Sequence, residues 1–165
     1  MKIRLAEPPD QDNLIQLIAE FRITMFRFRG SAPQLDLPAA ERKLLSYRPD
    51  DHRIFVAEAE DNSLAAYMVC RTFAGRVSVE ALYVMPDHRR QGVANMLFDK
   101  AEDLARDFGN EPLTNWVHPN NDRFIAFLRK RGYLVLSQIE LRKPRSSEGT
   151  RQQIKVGKNI FEYCC

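Results

Sequence analysis

Between residues 82 and 95 the chain reads Leu82-Tyr83-Val84-Met85-Pro86-Asp87-His88-Arg89-Arg90-Gln91-Gly92-Val93-Ala94-Asn95. An apolar, strand-like run stops at a proline, a short basic loop follows, and Gly92 and Ala94 open a long helical pattern. The start of a helix carries backbone N–H groups without intrahelical acceptors and the positive end of the helix dipole. It is therefore suited to a phosphate. Gly92 has no Cβ, so main chain can come close to a ligand there, and Arg89 and Arg90 add charged donors. A glycine at such a junction serves plain turn geometry about as often as it serves a ligand. The segment is not a P-loop, because no Gly-Lys-Ser/Thr follows. Nor is it the dinucleotide fingerprint, which needs three glycines and an acidic residue about 20 positions on.

A second block stands at Asn121-Asp122-Arg123-Phe124-Ile125-Ala126-Phe127-Leu128-Arg129-Lys130-Arg131-Gly132-Tyr133. Asn121 is a good N-cap and Gly132 a good stop. Phe124, Ile125 and Leu128 give one apolar face at helical spacing. Alone, this is an ordinary capped amphipathic helix.

Together, the two blocks resemble the GNAT N-acetyltransferase superfamily. Its acyl-coenzyme A signature is Arg/Gln-x-x-Gly-x-Gly/Ala after a strand ending Leu-Tyr-Val-x-Pro, matched here by Arg89, Gly92 and Ala94 after Leu82 to Pro86. Its second motif is an Asn opening a helix that ends in Gly and an aromatic residue. The resemblance covers roughly residues 1–143 and is most specific at 80–97 and 121–133. It implies acetyl transfer from acetyl-coenzyme A to a primary amine of a small molecule, peptide or protein. The backbone of Leu82, Tyr83 and Val84 would pair with pantetheine. The amides of Arg90, Gln91, Gly92, Val93, Ala94 and Asn95 would hold the pyrophosphate beside Arg89, and Asn121 would contact the cofactor from its helix start. The alternative class is a non-catalytic acyl-coenzyme A-binding sensor or interaction domain. An unrelated phosphate-binding protein would explain the loop but not the Asn121 block.

An amine acceptor must lose a proton before attack, and a carboxylate can take it. Glu80 is the first candidate base, since a regular strand would put Glu80, Leu82 and Val84 on one face; a bulge would break that parity. As a strand residue it serves equally well as a salt-bridge partner. His118 is the second candidate. Two positions depart from the family pattern: Leu128 stands where many members carry an acid Tyr. Trp116 stands where the branch acting on ribosomal-protein N-termini carries a Glu. Tyr83 and Tyr133 are the hydroxyls that would stand in. The acceptor site would involve the first two helices, with Arg22, Arg27, Arg29, Phe26, Phe28 and the loop around Asp36, and the C-terminal strands.

With 165 residues, 44% hydrophobic and 28% charged, the chain has the size and composition of one globular domain. A net charge of +3 with interspersed signs does not mark a nucleic-acid binder. No apolar run approaches the ~20 residues of a membrane span, and the first residues lack a leader's apolar stretch. These features lead to the expectation of a cytoplasmic protein with no nucleic-acid or membrane partner. No Cys/His spacing suggests a metal site. Cys70 falls in an apolar strand pattern and is expected in the core, while Cys164 and Cys165 are expected in an exposed tail. Homodimers are common in the family, which makes one an expectation of resemblance only.

The hydrophobic periodicity predicts strands at 2–6, 52–60, 64–73, 76–84, 113–117 and 134–142, and helices at 11–28, 38–46, 91–108 and from Asn121. In the long third helix, Val93, Leu97, Leu104 and Phe108 share a face. Residues 154–163 read as a hairpin through Gly157-Lys158-Asn159. The fold class is α/β (α+β). The resemblance sharpens it to a twisted, mostly antiparallel central sheet flanked by about four helices, with two splayed parallel strands at the cofactor site. Residues 1–143 form the expected domain, and 144–165 an extension of it.

Overall fold

The computed structural model describes residues 1–30, 32–143 and 151–164. By its contacts the chain forms two compact units, residues 1–22 with 34–116, and residues 23–33 with 117–165.

The first unit holds a five-stranded sheet in the order β1 (Lys2–Leu5), β2 (His52–Glu58), β3 (Leu64–Phe73), β4 (Arg76–Val84) and β5 (Thr114–Asn115). Neighbours are antiparallel except β4 and β5, which run parallel. The expected pair of parallel strands is therefore present, but β5 is short. Only Ser78–Thr114 and Val79–Asn115 pair, with one further bond from the Trp116 N–H to the Val79 carbonyl (3.1 Å). Beyond that point, no described residue pairs with the β5 side of β4.

One register shift decides where side chains point. Cys70 lies opposite Val79 but Val69 lies opposite Ala81, so Glu80 is the extra residue of a β-bulge. The bulge lets Val77 and Val79 face the side of Cys70, while Ala81 and Tyr83 face the side of Val69 and Tyr67. On the Tyr67 side, Leu14, Leu17 and Ile18 of α1 (Gln11–Arg27) and Ala40 of α2 (Leu37–Leu45) join Val56, Tyr67, Val69, Ala81 and Tyr83 in one buried cluster. Asp36 caps α2 by accepting from the Ala39 N–H at 2.9 Å. α3 (Val93–Phe108) lies against β4, β3 and β2. It buries Val93 and Leu97 as expected, together with Phe98, Ala101 and Ala105; Phe108 is exposed. Cys70 is fully buried, as its strand pattern indicated, and burial pushes its thiol up to about 12.

In the second unit, α4 (Asp122–Lys130) starts at Asn121, whose side chain accepts from the Phe124 N–H at 3.2 Å. Leu128 is the buried residue of α4; Phe124 and Ile125 are only half-buried. The expected hairpin is present as β6 (Arg151–Val156) and β7 (Asn159–Cys164).

The strand expected at Leu134–Arg142 is not there. The segment has no regular structure, and Leu134, Val135, Leu136, Ile139 and Leu141 are exposed. A strand exists through its ladder hydrogen bonds, and among the described residues nothing pairs with this run. An apolar stretch alone does not supply a partner.

Candidate active site

After β4, Pro86–His88 form one 3-10 turn, and Arg90 and Gly92 adopt left-handed backbone at φ 63° and 81°. Two side chains hold this loop in shape. Arg89 Nε donates to the Val84 carbonyl at 2.8 Å, with its guanidinium 5.6 Å from the Tyr83 ring centre. Gln91 Nε2 donates to the Asp87 carbonyl at 2.8 Å. Gly92 is the N-cap of α3 and offers no side-chain cap. The helix start at Val93, Ala94 and Asn95 therefore presents N–H groups without a side-chain acceptor from the cap position, unlike α2 and α4. A Cβ on Gly92 would meet nothing within 4 Å, so packing does not demand glycine here. What favours it is the left-handed φ and the open approach to the helix start. An uncapped helix N-terminus with a glycine approach and flanking arginines fits a pyrophosphate in size, charge and donor chemistry.

Glu80 does not share a face with Leu82 and Val84 as a regular strand would have it. The bulge turns it into a cleft of about 420 Å³ lined by Lys43, Ser46, Arg48, Asp51, His52, Arg71 and Trp116. Its Oε2 lies 3.5 Å from His52 Nε2, and both side chains are 10% exposed. His52 Nδ1 is 2.6 Å from Asp51 Oδ1. In that contact an Nδ1–H donates to the carboxylate, which only accepts. Arg71 sits between the two acids, 3.8 Å from Glu80 and 3.6 Å from Asp51. The His52 ring packs 5.2 Å from that of Tyr47, whose hydroxyl is held protonated by burial and then by Glu80.

The other candidates have partners of their own. Tyr83 donates its hydroxyl to Glu20 Oε2 at 2.8 Å, and burial, with that bond, pushes its hydroxyl up to about 12. His118 belongs to the second unit, stacked on Phe28 at 5.7 Å, with Nδ1 accepting from the Asn120 N–H at 3.2 Å. Burial, then Arg29, lowers its pKa. Asn121, in the same unit, caps α4. Trp116 lines the Glu80 cleft and is 57% exposed. Among the described residues no three His, Cys, Asp or Glu side chains are grouped to hold a metal, and no helix is long and apolar enough to cross a membrane.

Sequence reasoning missed Asp51, His52 and Arg71. The signal was the pairing of His52 with Arg71 across β2 and β3, which becomes visible only once the register is known.

The acetyltransferase (GNAT) family model matches residues 16–133, spanning β2 to β5 and both motif blocks. The chain belongs to the GNAT acetyltransferase family. Solved structures agree on the fold. The aminoglycoside antibiotic 6'-N-acetyltransferase AAC(6')-IG of Acinetobacter haemolyticus is 19% identical, with a TM-score of 0.65 over 88% of this chain and 99% of that one. The ribosomal-protein-alanine N-acetyltransferase of Brucella melitensis biovar Abortus 2308 is 18% identical, with a TM-score of 0.65 over 88% and 99%. A GNAT-family acetyltransferase of Staphylococcus aureus Mu50 is 14% identical, with a TM-score of 0.64 over 79% and 82%. No curated protein matches the sequence significantly. In GNAT terms, the mixed sheet with its parallel β4–β5 pair and four α-helices is the expected architecture.

Proposed function

We propose that this chain is an N-acetyltransferase that acetylates a primary amine, with acetyl-coenzyme A as donor and Glu80 as general base. The observation that carries the reading is the bulge: it places a nearly buried carboxylate in a cleft on the strand whose β5 side pairs with no described residue beyond Val79. Residues 1–143 are the catalytic domain in this reading, with 144–165 as its extension.

The amides of Gly92, Val93, Ala94 and Asn95 would hold the pyrophosphate of acetyl-coenzyme A, and the edge of β4 around Leu82 and Tyr83 would meet its peptide-like arm. The Val84 carbonyl is already bonded to Arg89, which leaves the arm to the residues before it. When bound, acetyl-coenzyme A supplies an activated thioester. A backbone N–H of β4 aimed at the thioester carbonyl would stabilise the developing oxyanion. Glu80 takes the proton from the acceptor ammonium. His52 faces Glu80 through Nε2 and anchors to Asp51 through Nδ1, so it offers that proton a path towards the more exposed Asp51, whose side chain is 32% exposed.

Leu128 is buried in α4, and the Tyr83 hydroxyl is committed to Glu20. In this reading the thiolate leaves without a tyrosine acid. Thermal unfolding with acetyl-coenzyme A, coenzyme A and ATP in parallel tests the cofactor. A ligand at 100 times its Kd stabilises a fold by about 2.7 kcal/mol, and the expected result is a clear rise with both coenzyme A forms and none with ATP. Turnover with an amine then separates an enzyme from an acyl-coenzyme A sensor.

A further inference from the structure

The cleft beside Glu80 has an unusual charge pattern for an amine site. Three permanent cations, Lys43, Arg48 and Arg71, line it with two carboxylates, Asp51 and Glu80. A polycationic acceptor entering it would meet like charge. Among the described residues neither Lys43 nor Arg48 pairs with a carboxylate; the Lys43 ammonium lies over the Tyr47 ring at 4.5 Å.

Arg71 is the informative member. Its separations of 3.8 Å from Glu80 and 3.6 Å from Asp51 exceed the ~2.7–2.9 Å of a charge-assisted hydrogen bond. Its buried Nε has no hydrogen-bond partner among the described residues. The guanidinium rests 5.9 Å from the Phe73 ring centre, and 41% of the side chain is exposed. A planar fork whose donors fall short of both nearby acids is suited to a bidentate carboxylate from outside.

We propose that the acceptor is an α-amino acid, its ammonium directed to Glu80 and its carboxylate to Arg71, with Lys43 and Arg48 adding positive potential around it. The proposal rests on the acetyltransferase reading above. The base and the fork are 3.8 Å apart, a spacing matched by an ammonium and a carboxylate on one carbon and not by the ends of a long diamine. The exposed Trp116 ring gives the acceptor side chain an apolar wall. A volume of about 420 Å³ is at the small end of the range of about 300–1,000 Å³ for small-molecule sites. The transfer forms a C–N bond at the acceptor and breaks the thioester C–S bond; one ammonium proton goes to Glu80 before attack, the electron pair leaves on sulfur, and the second nitrogen proton, lost as the amide forms, protonates the thiolate.

The test is coenzyme A thiol release with the standard L-amino acids, the matching amino-acid amides and the polyamine spermidine, for the wild type and for Arg71→Gln and Arg71→Lys. At least one free amino acid should exceed its own amide by tenfold or more in kcat/KM. Arg71→Gln should collapse that ratio towards one, and Arg71→Lys should restore part of it. Using the ratio cancels any effect of Arg71 on Glu80 itself. Acetyl-coenzyme A thermal shifts on each variant report folding and cofactor binding. Amides or spermidine used as well as free acids would overturn the amino-acid assignment and leave the acetyltransferase reading standing. So would an unchanged ratio in Arg71→Gln, or no turnover of any amino acid by protein that binds acetyl-coenzyme A. Failure of the wild type to bind acetyl-coenzyme A would remove both.

Discussion

Glu80 Oε2 and His52 Nε2 face each other at 3.5 Å across the sheet, from β4 and β2, with only 10% of either side chain exposed. Cross-strand neighbours rarely reach over an intervening strand. Here β3 lies between them, and the bulge at Glu80 together with the end of β2 makes the contact. If Glu80 is the base, Glu80→Gln keeps the shape and removes the proton acceptor. Turnover should fall on the order of 10²-fold or more at neutral pH, with acetyl-coenzyme A affinity unchanged. The deficit should narrow as pH approaches ~10, where an amine ionising like lysine supplies its own neutral form. Steady-state kinetics across pH, with a thermal-shift control, checks both statements; a constant deficit would place the base elsewhere.

His52→Asn retains a donor near Asp51 and loses the contact with Glu80. Acting through Glu80 rather than on substrate, His52 is a positioning residue. Its loss should cost ~10-fold in kcat, below the range for a direct general base, with little change in KM for acetyl-coenzyme A. An unaltered kcat and pH profile would remove His52 from the proton path.

How much of this was legible beforehand differs by element. The apolar runs of the β2–β4 meander, bounded by turn residues, and the 3.6-residue rhythm of α1 and α3 placed those elements to within two residues. In both, side-chain pattern and tertiary burial agree. Glycines 92 and 132 and the cap at Asn121 punctuated the two motif helices. The run from Leu134 to Arg142 read as a strand because its residues favour strands, and it failed because strand formation is a property of a pair. Phe108 carried the helical phase but is exposed at the last residue of α3. At the site, Glu80 stood out as a strand carboxylate, but its direction was not legible, because the bulge reverses the face that a regular strand gives it. Asp51, His52 and Arg71 were not, because they converge only through a register that a single bulged residue sets.

The Tyr67 hydroxyl is fully buried in the core and has no hydrogen-bond partner among the described residues. Burial raises its pKa well above the ordinary phenol value. Tyr67→Phe removes an unsatisfied polar atom while keeping the edge-to-face contact with Phe21 at 6.2 Å. Stability should be unchanged or rise by up to ~1 kcal/mol. Chemical denaturation decides this, and a loss greater than ~1 kcal/mol would mean that the hydroxyl is bonded in solution.

Arg4 ties β1 to the segment before α1. It contacts Asp10 at 2.6 and 2.9 Å and Glu58 at 2.6 Å, and Asp10 also accepts from the Glu7 N–H at 2.8 Å. The bond to Arg4 lowers the Asp10 pKa. Because the folded value is the lower one, this stabilisation is fully present above the unfolded value of about 3.9. It is lost as pH falls through the folded value. Asp10→Asn should cost ~2 kcal/mol at pH 7, less than a fully buried pair, and should flatten the acid limb of stability against pH. Parallel acid titrations of the two proteins by circular dichroism would show whether that limb belongs to Asp10.

Calorimetric titration of acetyl-coenzyme A into the wild type and Gly92→Glu reads directly whether the start of α3 holds the cofactor. A side chain at Gly92 meets no neighbour, so the added carboxylate acts on the left-handed turn and on whatever anion approaches the start of α3. The wild type should bind saturably and Gly92→Glu should not, with the circular dichroism spectrum retained. Equal affinity in the two proteins, or no binding by either, would contradict it.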